Sequence, residues 1–92
     1  MRIIGNIEHP TLKITVFKMD NKLSVKFETG LYEQTFKFRE SNELNSFETI
    51  QKLVDKQLVG EVMENFAKMQ GAKNEALGRF LPKAEMEFEE II

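Results

Sequence analysis

Apolar and polar residues alternate along residues 11–39, with the two-residue period of β-strands. Valine, isoleucine, threonine and phenylalanine, which favour strands, are dense in this stretch. Two turn signals, Asp20-Asn21 and Thr29-Gly30, divide it into three segments. The pattern therefore predicts an antiparallel meander of three strands over Thr11 to Phe38.

If both turns are two-residue loops, their lengths determine which residues of neighbouring strands lie opposite each other. Met19 then faces Lys22, and Glu28 faces Leu31. This register collects apolar side chains and one amide on a single face: Leu12, Ile14, Val16, Leu23, Val25, Phe27, Tyr32, Gln34, Phe36 and Phe38. The polar face receives Lys13, Thr15, Phe17, Lys22, Ser24, Lys26, Glu28, Leu31, Glu33, Thr35, Lys37 and Arg39.

Opposite charges meet on the polar face in this register. Lys13 lies opposite Glu28 and Lys26 opposite Glu33, and such pairs each contribute about 0.2–1 kcal/mol. Gln34 is the exception on the apolar face, where a hydrogen-bonded border amide is a more common role than a ligand group.

The segment before the meander contains Ile3, Ile4 and Ile7 and predicts a further short strand, interrupted by Gly5. His9 precedes Pro10, which favours a loop position for the histidine over a role as a catalytic base, since no nucleophile pairs with it.

The apolar period changes to that of a helix after Ser46, which, like Asn45, is a good helix cap. The first apolar stripe consists of Phe47, Ile50, Leu53, Val54 and Leu58, and a rotated second stripe contains Val62, Phe66 and Met69. The rotation predicts a break near Gln57 to Gly60, and therefore two helices or one strongly bent helix.

A stop at Gly71 and a cap at Asn74 predict a third, short helix that ends before Pro82. The expected class is α+β, an antiparallel sheet of three to five strands covered on one face by two or three helices. The length of 92 residues suits a single domain.

The last segment, residues 83–92, has four glutamates against one lysine, whereas residues 1–39 carry seven Lys or Arg against four Asp or Glu. Alternation of Ala84, Met86 and Phe88 with glutamates favours an edge strand beside the basic part of the sheet. A helix and a free acidic tail remain alternatives for this segment.

The chain contains no cysteine and one histidine, and it has no glycine-rich phosphate loop or nucleophile motif. We therefore expect no enzyme activity, no cofactor and no metal site. The opening residues do not resemble a secretory signal, and no apolar run reaches the length of a membrane span, so we expect a cytoplasmic protein without a membrane partner.

The remaining hypothesis is a protein-interaction module, with an unidentified protein partner or a second copy of the chain bound at the polar face. Apolar residues on a face that should contact water often mark such surfaces. The candidate surface consists of Phe17, Met19, Leu31, Lys22, Lys37 and Arg39. The alternative is a weak binder of single-stranded nucleic acid through the same lysines and phenylalanine.

Overall fold

A computed structural model describes residues 1–81 of the chain. It contains four strands, β1 (Arg2–Ile7), β2 (Lys13–Met19), β3 (Lys22–Thr29) and β4 (Tyr32–Arg39), followed by helices α1 (Phe47–Leu53) and α2 (Lys56–Phe80). The strands form one antiparallel sheet in the order β1-β2-β3-β4. The α+β class and the antiparallel meander are therefore confirmed, and the amino-terminal segment adds a fourth strand.

The register between β2 and β3 is the predicted one, with Met19 opposite Lys22 and Ile14 opposite Phe27. Asp20 occupies the first loop position with a φ of 53°. Aspartate tolerates this left-handed conformation better than most residues, and tight hairpin turns require it. The Asp20-Asn21 signal therefore identified the turn correctly.

The second turn lies one residue later than predicted. Thr29 is the last residue of β3, the loop is Gly30-Leu31, and Glu28 lies opposite Glu33 rather than Leu31. Gly30 takes the first loop position with a φ of 54°, which glycine adopts without the steric cost that threonine would meet. Because the correction moves every partner by two residues, each strand residue keeps its predicted face.

Strand β1 is irregular, with a bulge between Ile3 and Gly5. Ile4 and Ile7 pack against the core, while Ile3 lies opposite Phe17 on the other face of the sheet. The bulge thus places Ile3 and Ile7 on opposite faces, whereas regular alternation would put both on the same face.

The helical region is broken, but at Val54-Asp55 rather than near Gln57 to Gly60. The Asp55 carboxylate accepts a hydrogen bond from the Leu58 backbone N–H at 2.8 Å and caps the start of α2. Aspartate is among the strongest N-cap residues, whereas a glycine such as Gly60 is tolerated inside a helix at modest cost.

The helical region begins as predicted and ends later. Ser46 caps α1 by accepting the Thr49 backbone N–H at 3.2 Å, while the Thr49 hydroxyl accepts the Ser46 N–H at 3.0 Å. Helix α2 continues through Gly71 and Asn74 to Phe80, so the predicted stop and the separate third helix are wrong. Glycine ends a helix when it takes a left-handed conformation, and Gly71 has no positive φ.

The buried core joins the inner face of the sheet, which carries the predicted apolar residues, to both helices. Its members are Leu12, Ile14, Val16, Leu23, Val25, Phe27, Ile50, Val54, Val62 and Phe66. The second half of α2 extends beyond this cluster, and residues 71–80 are exposed. The radius of gyration is accordingly 17.8 Å, against about 12 Å expected for a compact chain of this size. The predictions for residues 83–92 fall outside the described residues.

Candidate interaction surface

The side of the sheet opposite to the core is called here the outer face. The observed register arranges its side chains in four cross-strand rows: Lys13–Glu28–Glu33, Asn6–Thr15–Lys26–Thr35, Ile3–Phe17–Ser24–Lys37 and Met19–Lys22–Arg39. The first row carries two neighbouring glutamates. The last two rows combine apolar and basic residues at the other end of the strands.

These two rows contain a group that we call the corner patch, which consists of Ile3, Phe17, Met19, Lys22, Lys37 and Arg39. Ile3 is 60% exposed and Met19 is 43% exposed, and the three basic residues are exposed as well. Within residues 1–81, none of the three basic side chains forms an ion pair. Among the described residues, the patch therefore presents apolar surface beside basic side chains without ion-pair partners.

The structure brings together five of the six candidate residues from the sequence, and the sixth, Leu31, lies elsewhere. Leu31 is in the β3–β4 loop, 86% exposed, at the opposite end of the sheet from Met19. Ile3 takes its place in the corner patch but was not among the candidates. Its face depends on the bulge before Gly5, and the position of a bulge is not readable from apolar alternation.

Lys26 lies in the middle of the outer face, and its ammonium group interacts with three neighbouring side chains. Its Nζ lies 3.4 Å from Glu28 Oε1, 3.8 Å from Glu33 Oε2 and 5.4 Å from the centre of the Phe17 ring. Lys26 lies opposite Thr35 rather than opposite Glu33, so the predicted register of this pair is wrong, but the two side chains still form an ion pair diagonally across the strands. Lys13 lies opposite Glu28 as predicted, but the ion pair of that carboxylate is with Lys26.

Thr15 lies next to Lys26 in the same row and is only 4% exposed. Among the described residues, its Oγ1 is a buried side-chain oxygen without a hydrogen-bond partner. Leaving such a group unsatisfied costs about 1–3 kcal/mol. The hydroxyl is covered by the outer-face side chains rather than open to a ligand, since its own accessible area is below 1 Å².

Gln34, the amide on the inner face, is a hydrogen-bonded border residue, as predicted. Its Nε2 donates to the Val62 backbone carbonyl at 2.9 Å, and its Oε1 accepts from Asn65 Nδ2 at 3.4 Å. These contacts connect β4 to α2 and use both ends of the amide.

His9 lies in the β1–β2 loop, as predicted. Its Nδ1 accepts hydrogen bonds from the backbone N–H groups of Thr11 and Leu12, each at 3.1 Å. The imidazole therefore satisfies the backbone of the loop, and its Nδ1 lone pair is occupied by these contacts.

Residues 1–81 contain no group of three or more histidine, cysteine or acidic side chains placed to hold a metal ion. In the same part of the chain, neither helix combines the length and the apolar character that crossing a bilayer requires. No protein-family model matches the sequence, and neither curated proteins nor solved structures include one with significant similarity to it.

Proposed function

We propose that the chain is a non-enzymatic protein-interaction module and that its binding surface is the corner patch. This function is supported by one observation. Ile3, Phe17 and Met19 lie on the same face and at the same end of the sheet as three basic side chains, and these form no ion pair within the described residues. Exposed apolar side chains with a polar rim are typical of protein contacts.

The patch is available to a partner if the helices cover the other face of the sheet. Both helices supply residues to the inner-face cluster, among them Ile50 and Val62, which are fully buried. Cover of the inner face by the helices would leave the corner patch, on the outer face, accessible to a partner.

The chemistry of the patch favours a partner that presents apolar side chains flanked by carboxylates. Apolar side chains would contact Ile3 and Met19, while carboxylates would pair with Lys22, Lys37 and Arg39. The partner is a folded protein surface or a peptide of that composition.

Single-stranded nucleic acid is less compatible with the same surface. Base stacking requires an open aromatic face, and the ring of Phe17 is approached by the Lys26 ammonium at 5.4 Å. The net charge of the chain is −2, which also disfavours a phosphate backbone.

Affinity capture from the native host with matched variants tests this function. Met19→Ser removes an apolar side chain of the patch, and Met63→Ser removes one on α2 with nearly the same exposure, 43% against 44%. A specific partner should be lost with Met19→Ser and kept with Met63→Ser, and capture should survive nuclease treatment. Equal capture by both variants would refute the assignment.

Varying the salt concentration and the charge of the patch distinguishes a nucleic-acid ligand from a protein partner. If capture disappears with nuclease, falls steeply with added salt and is abolished by Lys22→Glu combined with Lys37→Glu, the ligand is nucleic acid. Loss on Phe17→Ser with only a modest salt effect supports the protein partner.

A further inference from the structure

The two edge strands of the sheet differ in how regular they are, and therefore in how readily another strand could pair with them. Edge strand β1 is interrupted by the bulge between Ile3 and Gly5. Edge strand β4 instead pairs with β3 along all eight residues from Tyr32 to Arg39, without an irregularity. It also contains no proline. A long and regular edge of this kind is a template for a further strand.

The backbone groups that β4 presents at its open edge follow from its bonds to β3. Thr29 and Tyr32 close the two-residue loop, and at the far end the Glu40 N–H donates to the Asn21 carbonyl at 2.7 Å. In an antiparallel pair, alternate residues bond to the neighbouring strand. The even-numbered residues of β4 therefore bond to β3. Within residues 1–81 the other edge of β4 pairs with no strand, and its backbone groups belong to Glu33, Thr35, Lys37 and Arg39.

The charges of these four residues are separated by sign along the strand, with Glu33 near its start and Lys37 and Arg39 near its end. Charges of one sign on an edge strand prevent pairing. Here two antiparallel copies bring the acidic end of each strand to the basic end of the other. A parallel arrangement would place like charges opposite each other, which is unfavourable.

We infer that β4 is a dimerisation edge, at which a second copy of the chain pairs antiparallel about a two-fold axis at Phe36. Glu33 then lies opposite Arg39 of the second copy, Thr35 lies opposite Lys37 of the second copy, and the two sheets become one. This interface is formed by the backbone of the β4 edge. It shares Lys37 and Arg39 with the corner patch but does not use Ile3, Phe17 or Met19, so it does not depend on the proposed function.

The inner side of β4 fits the same two-fold arrangement. Phe36 is half-buried, and its ring packs edge-on against Phe27 with centroids 5.9 Å apart. At the axis it faces the same residue of the second copy in a non-hydrogen-bonded pair, where side chains approach most closely. An open groove lies beside Phe36, lined also by Leu58, Glu61 and Lys68, so the inner side of this edge has room for the additional aromatic ring.

Reciprocal charge variants of the full chain test the dimer. Glu33→Arg leaves arginine opposite arginine at both ends of the interface, and Arg39→Glu leaves glutamate opposite glutamate. An equimolar mixture of the two variants can form a heterodimer, in which arginine again lies opposite glutamate at both ends of the interface. The side chain of Glu33 is 61% exposed and Arg39 is exposed as well, so both variants should keep the fold, which circular dichroism checks.

Sedimentation equilibrium over a wide range of concentrations measures the association. The wild-type chain should dimerise, each single variant should raise the dimer dissociation constant about tenfold or more, and the mixture should form a heterodimer at least as tight as the wild-type dimer. The double variant Glu33→Arg with Arg39→Glu should also recover dimerisation. A wild-type chain that stays monomeric, or a mixture that associates no better than its components, would overturn the inference.

Discussion

The aromatic ring of Phe47, at the start of α1, lies directly against the backbone of Gly5 in β1. A methyl group built at position 5 would lie 2.6 Å from Cδ1 and 2.7 Å from Cζ of that ring. Real Cβ atoms do not approach a neighbour so closely, so the helix reaches the strand only because residue 5 has no side chain.

Gly5→Ala should therefore lower the free energy of unfolding by about 1–3 kcal/mol, because the ring must move out of a packed position. Urea denaturation measures the change. In the background of Phe47→Ala, the same substitution should be neutral or slightly stabilising, because the obstacle is gone. Gly78→Ala, where a methyl meets nothing within 4 Å, is the matched control. A Gly5→Ala penalty that is unchanged without the Phe47 ring would contradict this contact.

Thr15→Val should raise the free energy of unfolding by about 1 kcal/mol, since valine keeps the branched shape and removes the hydroxyl that lacks a partner in the described residues. Thermal and urea unfolding measure the gain. Thr35→Val, an exposed position in the same row, should change stability by less than about 0.5 kcal/mol. Destabilisation by Thr15→Val would show that the hydroxyl is hydrogen-bonded in the native protein.

Gln34→Glu should lower stability by about 1–3 kcal/mol at neutral pH, because a carboxylate oxygen would replace the Nε2 donor that faces the Val62 carbonyl. Gln70→Glu makes the same chemical change at an exposed site on α2 and should cost less than about 0.5 kcal/mol. Urea denaturation of the two variants compares the sites. Equal effects would mean that the Gln34 amide does not connect β4 to α2.

Gly60→Ala should raise stability by about 0.5–1 kcal/mol, since residue 60 is inside α2 and a methyl there meets nothing within 4 Å. Gly30→Ala should lower it, because the φ of 54° at that loop position strains any L-residue with a Cβ. Thermal unfolding followed by circular dichroism measures both. A loss of stability with Gly60→Ala would favour a helix break in the predicted range, near Gln57 to Gly60.

The side-chain faces of the sheet were predictable because alternation depends only on whether a residue position is odd or even. The second turn was not, since Thr29-Gly30 and Gly30-Leu31 both place a glycine in a two-residue loop. What decides between them is the left-handed φ, which Gly30 adopts at the first position. The error moved partners by two residues and therefore left the faces intact.

The position of the helix break was predicted wrongly and one member of the corner patch was missed, each for a different reason. The rotation of the apolar stripes predicts a break near Gln57 to Gly60, but the hydrogen bond from the Leu58 N–H to the Asp55 carboxylate starts α2 earlier and places the break at Val54-Asp55. Ile3 reaches the outer face through a bulge before Gly5, and this depends on how β1 fits its neighbour, not on its own pattern.

The corner patch as a protein-binding surface is tested most directly by site-specific photo-crosslinking in native cells. A photoreactive phenylalanine analogue replaces Lys22, inside the patch, or Lys52, which is also exposed and lies on α1. Position 22 should give an adduct with another protein, identified by mass spectrometry and suppressed by Met19→Ser, and position 52 should not. An adduct with the same protein from position 52 and none from position 22 would contradict the account.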